Sequence, residues 1–404
     1  MHRSVEDRSV EYRSVEQLSV EDFRGEVRGW LRSNLSGEFA ALRGLGGPGR
    51  EHEAFAERLG WERHMAAAGW TCVGWPVEYG GRGATLEQQV AFHEEYALAE
   101  APDRVNHIGE QLLGPTLIAF GTEEQKRRFL PAIVAVEELW CQGYSEPDAG
   151  SDLAGVRTRA ELSGDGTGWR INGQKVWTSL AHESQWCFVI ARTEPGSRRH
   201  AGLSYLLVPL EQPGVEIRPI VQLTGTSEFN EVFFDDARTE TGLVVGAPGD
   251  GWRVAMATLG FERGVSTLGQ QVGFRRELEH LIELARANGA ASDPLIRDRI
   301  ARAWCGLEVI RLNALRMLEG AASGAPGPEA SIGKIYWSNW HRDLGELAMA
   351  VRGADGTVAP DGELDGWQRL FLFSRADTIY AGSNEIQRNI IAERVLGLPR
   401  ESRP

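Results

Sequence analysis

The segment CQGYSEPDAGSD at Cys141–Asp152 and the segment INGQKVWTS at Ile171–Ser179 decide how the rest of the chain is read. The first is rich in Gly and Ser and holds acids at fixed offsets. The second alternates apolar and polar residues around Asn172-Gly173, which predicts a hairpin with a type I′ turn at that pair. Gly and Ser let a backbone come close to a ligand and supply N–H and O–H donors. Trp177, beside Thr178 and Ser179, offers a flat apolar wall with hydroxyls at its edge. Together the two segments suit a large, planar, hydrogen-bonding ligand.

Outward from these segments the hydrophobic period changes twice. Upstream it is helical. Phe23, Val27, Trp30 and Leu31 share a face, and helices are expected over 53–68, 85–99 and 112–120. Thr122 followed by Gln125 is a capping box that starts another. From Leu139 to about Val245 the period is two, broken by Gly, Pro and Asp, as in a small antiparallel β-domain. From Gly251 long helices return. Asp293-Pro294 is a helix start, and Ile296, Ile300, Trp304, Leu307, Ile310, Ala314 and Met317 follow at helical spacing as a core stripe. A next helix carries Ile332, Tyr336, Trp340, Leu344, Leu347 and Val351. The expected fold is α+β: a repetitive extension at 1–20, an all-α domain at 21–138, a β-domain at 139–247 and a four-helix bundle at 248–404. The extension repeats RSVED, RSVEY, RSVEQ and LSVED. A period of five fits neither helix nor strand, so it is expected to lie outside the core as a spacer.

Composition narrows the function. A chain of 404 residues can bury a large core. A net charge of −14 argues against nucleic acid. No apolar run reaches the roughly 18 residues of a membrane span, and no secretory pattern opens the chain. Cys72, Cys141, Cys187 and Cys305 are scattered without metal-ligand spacing and read as reduced core thiols of a cytoplasmic protein. His93, His107, His182 and His341 form no metal or triad spacing and read as satisfied structural histidines. No GxGxxG follows a strand, so a Rossmann site is not supported.

The two opening segments resemble the flavin segments of the acyl-CoA dehydrogenases, T/S-E-P-x-A-G-S-D and N-G-x-K-x-W-I-T. WPVEYGG at Trp75–Gly81 and GTEEQK at Gly121–Lys126 resemble that family's N-terminal domain, and the likeness runs from about Phe23 to Pro399. It implies FAD as cofactor and α,β-desaturation of an acyl thioester. A base takes the α-proton and the β-hydrogen leaves as hydride to flavin N5. It also implies an acyl-CoA substrate, an electron-transfer flavoprotein or similar acceptor, and a homotetramer or dimer. By the same likeness Gln142, Tyr144, Ser145, Gly150 and Ser151 line the flavin, with Ser151 facing the thioester. Trp177 covers a flavin face, and Ser179, with Thr178 one residue early, supplies the hydroxyl near N5. Ser383 and Glu385 touch FAD at a helix start, where free N–H groups favour anionic oxygens. Arg286, in RANG, is the candidate for the FAD pyrophosphate across a subunit interface, although its spacing to Gly289 is one residue shorter than usual.

One departure is informative. The family's C-terminal motif Y-E-G-T/S reads Tyr380-Ala381-Gly382-Ser383 here, so its glutamate is an alanine that cannot accept a proton. A minority of the family places the base early in the last domain beside an arginine, where this chain has Phe261-Glu262-Arg263-Gly264. Glu262 is therefore the expected base. Arg263 matches an arginine near the CoA end, and a structural ion pair accounts for it equally well. Tyr380, Ala381 and Gly382 are expected against the substrate, with the Ala381 N–H donating to the thioester oxygen. The wording also resembles a branch that handles branched, bulky or specialised acyl groups. Four readings stay open: an acyl-CoA dehydrogenase, an acyl carrier protein dehydrogenase, an oxidase, and a non-catalytic flavoprotein or partner subunit.

Overall fold

The computed structural model describes residues 14–261, 266–321 and 329–400. Five helices form the first layer: α1 (Val20–Asn34), α2 (Phe55–Ala67), α3 (Leu86–Leu98), α4 (Gly114–Phe120) and α5 (Glu123–Val134). Ser19 caps α1 by accepting from the Asp22 N–H, and Phe23, Val27 and Leu31 turn into the core. Thr85 with Gln88 and Thr122 with Gln125 close capping boxes on α3 and α5. Gln125 does a second job, donating at 2.8 Å to the carbonyls of Gly242 and Val244 and so tying α5 to the next domain.

The described end of the expected extension is not outside the core. Val15 is 1% exposed and packs among Phe23, Trp70 and Phe92. Its N–H donates to the Arg82 carbonyl, and Gln88 Nε2 donates to the Val15 and Leu18 carbonyls at 2.7 and 2.9 Å. Residues 1–13 of the repeat lie outside the described residues.

The middle layer is one eight-stranded sheet: β1 (Trp140–Gly143), β2 (Arg159–Leu162), β3 (Gly168–Ser179), β4 (Trp186–Arg192), β5 (Leu203–Pro209), β6 (Val215–Ile220), β7 (Phe229–Glu240) and β8 (Val244–Val245). It is not wholly antiparallel, as the sequence suggested. β1 runs parallel to β4 over four residue pairs, and β2 meets β4 in parallel at Arg159–Arg192. β4 and β5 are buried on both faces. Phe188, Ile190 and Tyr205 pack against Leu113, Phe129 and Val254, whereas Val189 and Leu206 pack against Ile171, Val232 and Ala237. That double burial accounts for their unbroken apolar runs.

Asn172-Gly173 is not a turn. Both residues lie inside β3, opposite an irregularity in β7 where Ile171 pairs with Ala237 and Gly173 pairs with Phe234. Asn172 Oδ1 accepts the Asp236 N–H at 3.0 Å, filling the gap. The β2–β3 turn is made by Asp165-Gly166 instead, with Gly166 at φ 73°. Gly173 is needed for proximity: a Cβ there would lie 2.7 Å from Thr158 Cα.

Six helices follow: α6 (Gly251–Phe261), α7 (Ser266–Ala287), α8 (Pro294–Ala321), α9 (Glu329–Arg352), α10 (Gly366–Asp377) and α11 (Asn384–Ile390). Asp293 caps α8 through the Leu295 N–H at 2.7 Å, with Pro294 at the first helical position. Leu278 and Leu281 of α7, Leu307 of α8, and Leu344 and Leu347 of α9 share one core. The expected core stripe was too broad. Trp304 and Ile332 are exposed, as are Leu312 and Leu315, so α8 keeps an uncovered apolar flank. Cys305 on that helix is exposed too, against expectation, while Cys72, Cys141 and Cys187 are buried.

Candidate active site

Two buried groups lock the opening segments together. Lys175 on β3 reaches Glu146 Oε1 at 2.8 Å and the Tyr144 carbonyl at 3.0 Å. Glu146 also accepts the N–H groups of Arg157 and Thr158 at 2.6 and 2.9 Å. Burial pushes its carboxyl up, but Lys175 and these donors more than offset that, and its pKa is lowered. Burial lowers Lys175 more than Glu146 raises it. Three donors thus converge on one carboxylate. The Val176 N–H to the Ser145 carbonyl, at 3.0 Å, completes the seam.

A bulge then aims the tryptophan. Lys175 pairs with Val232 and Thr178 with Asn230, so two residues of β3 face one of β7. Trp177 takes a left-handed φ of 61° and stands 59% exposed, its ring edge against Phe229. Lys175 and Thr178 on either side are fully buried.

Trp177 forms part of the wall of a cavity of about 980 Å³ that all three layers enclose. Gln142, Tyr144, Ser145, Gly150, Ser151 and Ser179 line it from the middle layer, and Tyr380, Ala381 and Gly382 line it from the break between α10 and α11. The sequence therefore found ten of its wall residues. Thr178 is not on the wall: it is buried behind it. Ser383 caps α11 by accepting the Ile386 N–H, and Glu385 is exposed in the first turn, its pKa lowered by its own backbone N–H and by Ser383. Arg286 is exposed in the last turn of α7, off the cavity wall. Glu262, Arg263 and Gly264 lie outside the described residues, between α6 and α7.

Ala381 has a left-handed φ of 51° and Gly382 one of 82°. Gln387 Nε2 holds the turn by donating to the Ala381 carbonyl at 3.2 Å. The Ala381 N–H makes no hydrogen bond among the described residues. A free N–H on a cavity wall is the kind of donor a carbonyl oxygen needs.

The wall fits a flat, polar cofactor. Gln142 Nε2 is buried without a hydrogen-bond partner among the described residues, Gly150 has open space where a side chain would stand, and Trp177 is an uncovered aromatic face. Each is a group left waiting for a ligand.

The sequence missed a set of charged groups on the same wall. His341 on α9 was expected to be a satisfied structural histidine. It is satisfied, with Nδ1 2.6 Å from Asp377 Oδ2 and Nε2 3.0 Å from Glu277 Oε2, yet all three residues line the cavity. Burial alone would lower His341, but the two carboxylates override it and lift its pKa to about 10. On α3, which also lines the cavity, burial lowers His93 to about 4, so that it is neutral. Burial followed by Asp103 raises Glu51 to about 8, against the pull of Arg58. None of these residues shares a short motif, so only the tertiary fold brings them together.

Family models described as acyl-CoA dehydrogenase N-terminal, middle and C-terminal domains match residues 19–137, 141–237 and 249–396. The chain belongs to the acyl-CoA dehydrogenase family, whose members are FAD-dependent oxidoreductases. It is 72% identical over 382 residues to the acyl-CoA dehydrogenase IpdE1 of Mycobacterium tuberculosis, covering 95% of this chain and 98% of that one. It is 68% identical over 388 residues to IpdE1 of Mycolicibacterium smegmatis, covering 94% and 98%. Among solved structures, the Tcur3481-Tcur3483 steroid acyl-CoA dehydrogenase superposes with a TM-score of 0.82 at 29% identity, over 95% of this chain and 98% of that one. A chain of the ChsE4-ChsE5 complex from Mycobacterium tuberculosis superposes at 0.76 and 29%, over 95% and 100%. Among the described residues no helix is long and apolar enough to cross a membrane.

Proposed function

We propose that this chain, loaded with FAD, desaturates a bulky, ring-bearing acyl-CoA to its trans-2-enoyl thioester. The observation that carries the proposal is the single cavity joining Trp177 and Ser179 to the unpaired Ala381 N–H. Bound FAD supplies the acceptor for the β-hydride. The chain supplies position, a base and charge stabilisation.

Gln142, Tyr144, Ser145, Gly150, Trp177 and Ser179 hold the cofactor ring, with Thr178 behind them. Ser383, Glu385 and, from a neighbouring subunit, Arg286 hold its remaining parts. The Ala381 N–H donates to the thioester oxygen, which makes the α-proton more acidic. Glu262 takes that proton, since position 381 carries no carboxylate. Ser151, Arg263, Tyr380 and Gly382 contact the thioester. The wide aromatic wall, with Phe274, Trp337 and Phe373, suits rings better than a thin chain, and the steroid enzyme among the structural neighbours supports the same substrate class. A CoA thioester is favoured over a carrier-protein thioester by the names of the relatives. Electrons then pass to an electron-transfer flavoprotein or a similar acceptor.

A second reading concerns assembly. Two of the structural neighbours are named for two components each, Tcur3481-Tcur3483 and ChsE4-ChsE5. The exposed flank of α8, with Trp304, Leu312 and Leu315, suits a subunit contact. That contact serves a homotetramer or an assembly with a second, related chain, and the mass of the purified holoprotein alone and with such a chain separates the two. The activity is tested by anaerobic addition of ring-bearing acyl-CoAs to the FAD-loaded protein. Bleaching of the flavin supports the proposal. Its absence with every thioester favours a non-catalytic partner subunit, and bleaching followed by fast aerobic turnover without an acceptor favours an oxidase.

A further inference from the structure

We infer that Glu277 selects acyl groups that carry a hydroxyl at the end remote from the thioester. The inference rests on the proposed reading of the cavity as an acyl-thioester site.

Three helices bring the cluster together: Glu277 from α7, His341 from α9 and Asp377 from α10. His341 uses both ring nitrogens, one on each carboxylate, at 2.6 Å to Asp377 and 3.0 Å to Glu277. Asp377 spends its second oxygen on the Tyr380 hydroxyl at 2.6 Å. Lys334, also on the wall, gives its Nζ to the Asp377 backbone carbonyl. Glu277 is the member left incomplete. Only its Oε2 is engaged among the described residues, and its side chain is 38% exposed where it lines the cavity. The cluster starts at Tyr380, next to the Ala381 N–H, and runs from there into the bundle. Glu277 is its far end.

Apolar rings share the wall with this cluster: Phe274 packs tilted against His341 with ring centroids 4.5 Å apart, and Trp337, Leu370 and Phe373 line the same cavity, which also carries Arg276 and Lys334. A carboxylate there has acceptor capacity and no proton to give. A plain hydrocarbon end would cover Oε1 with no donor to meet it, and burying a polar oxygen without a hydrogen bond costs free energy. A ketone would set acceptor against acceptor. A hydroxyl donates to Glu277 Oε1 and completes the set, and a site built for a hydroxyl rejects the analogue lacking it far more strongly than an apolar pocket rejects a missing methylene.

The test uses the FAD-loaded protein and two ring-bearing acyl-CoA thioesters that differ by one hydroxyl on the ring carbon farthest from the thioester. Calorimetry gives both dissociation constants, and anaerobic flavin bleaching is followed in parallel. The hydroxylated thioester is expected to bind at least tenfold more tightly. Glu277→Leu should erase that preference without weakening the deoxy thioester, and Glu277→Gln, which keeps an acceptor, should restore most of it. Equal binding of the two thioesters by the unsubstituted protein, a preference that survives Glu277→Leu, or no binding of either thioester overturns the inference. Preferential binding without bleaching sustains it and removes the dehydrogenase reading instead.

Discussion

Lys175 Nζ sits 2.8 Å from Glu146 Oε1, with the lysine side chain fully buried. One member comes from the loop after β1 and the other from the middle of β3, so this contact fixes the two cofactor-facing segments to each other. Removing one charge strands its partner in a dry place. Lys175→Met should destabilise the protein by roughly 3–5 kcal/mol and release FAD. Glu146→Gln combined with Lys175→Met should be milder than Lys175→Met alone. Thermal melts and flavin retention on gel filtration check both; a double variant worse than the single one contradicts the pairing.

Trp177 contributes surface to a ligand rather than to the core, because it stands 59% exposed on a bulge. Trp177→Ala should leave the melting temperature of the flavin-free protein within about 1–2 °C. FAD affinity should fall about two- to thirteenfold, in line with the ~0.5–1.5 kcal/mol of an aromatic contact. Fluorescence titration of the apoprotein with FAD reads this directly.

Glu262→Gln should slow anaerobic bleaching by acyl-CoA about 10²–10⁴-fold, the range for loss of a general base. FAD binding should not change. Equal bleaching rates in the two proteins would move the base elsewhere.

His341 makes the bundle sensitive to alkali. Its pKa is raised to about 10 in the folded chain, mainly by Glu277 and Asp377 working against burial, from an ordinary value of 6.5. The folded state holds this proton more tightly than the unfolded one. The stabilisation is therefore complete below about pH 6.5 and fades as pH rises toward 10. Melting temperature should fall between pH 7 and pH 10, and His341→Gln should flatten the slope while lowering the value at pH 7. A parallel slope in both proteins rules out this histidine as the cause.

The sequence carried those features whose cause is local. Thr122 with Gln125 and Asp293 with Pro294 cap helices where expected, since a cap needs only its own turn. Asn172-Gly173 misled because the pair has turn chemistry wherever it stands; its place in β3 is set by β7 and by Thr158, which a local reading does not see. The cavity wall facing the cofactor segments was legible through motif likeness. The opposite wall was not: Glu277 and His341 are 64 positions apart, and nothing in either neighbourhood marks them as partners. Trp304 was misplaced because helical spacing tells which residues share a stripe, not how much of the stripe a neighbour covers.

Val15 works as a plug. Its side chain fills a socket among Phe23, Trp70 and Phe92, and the flanking carbonyls are gripped by Gln88. Trimming through residue 18 uncorks the first helical layer and frees Gln88 from both acceptors. The stretch from Val15 to Leu18, near the end of the pentapeptide tract, thus seals the domain.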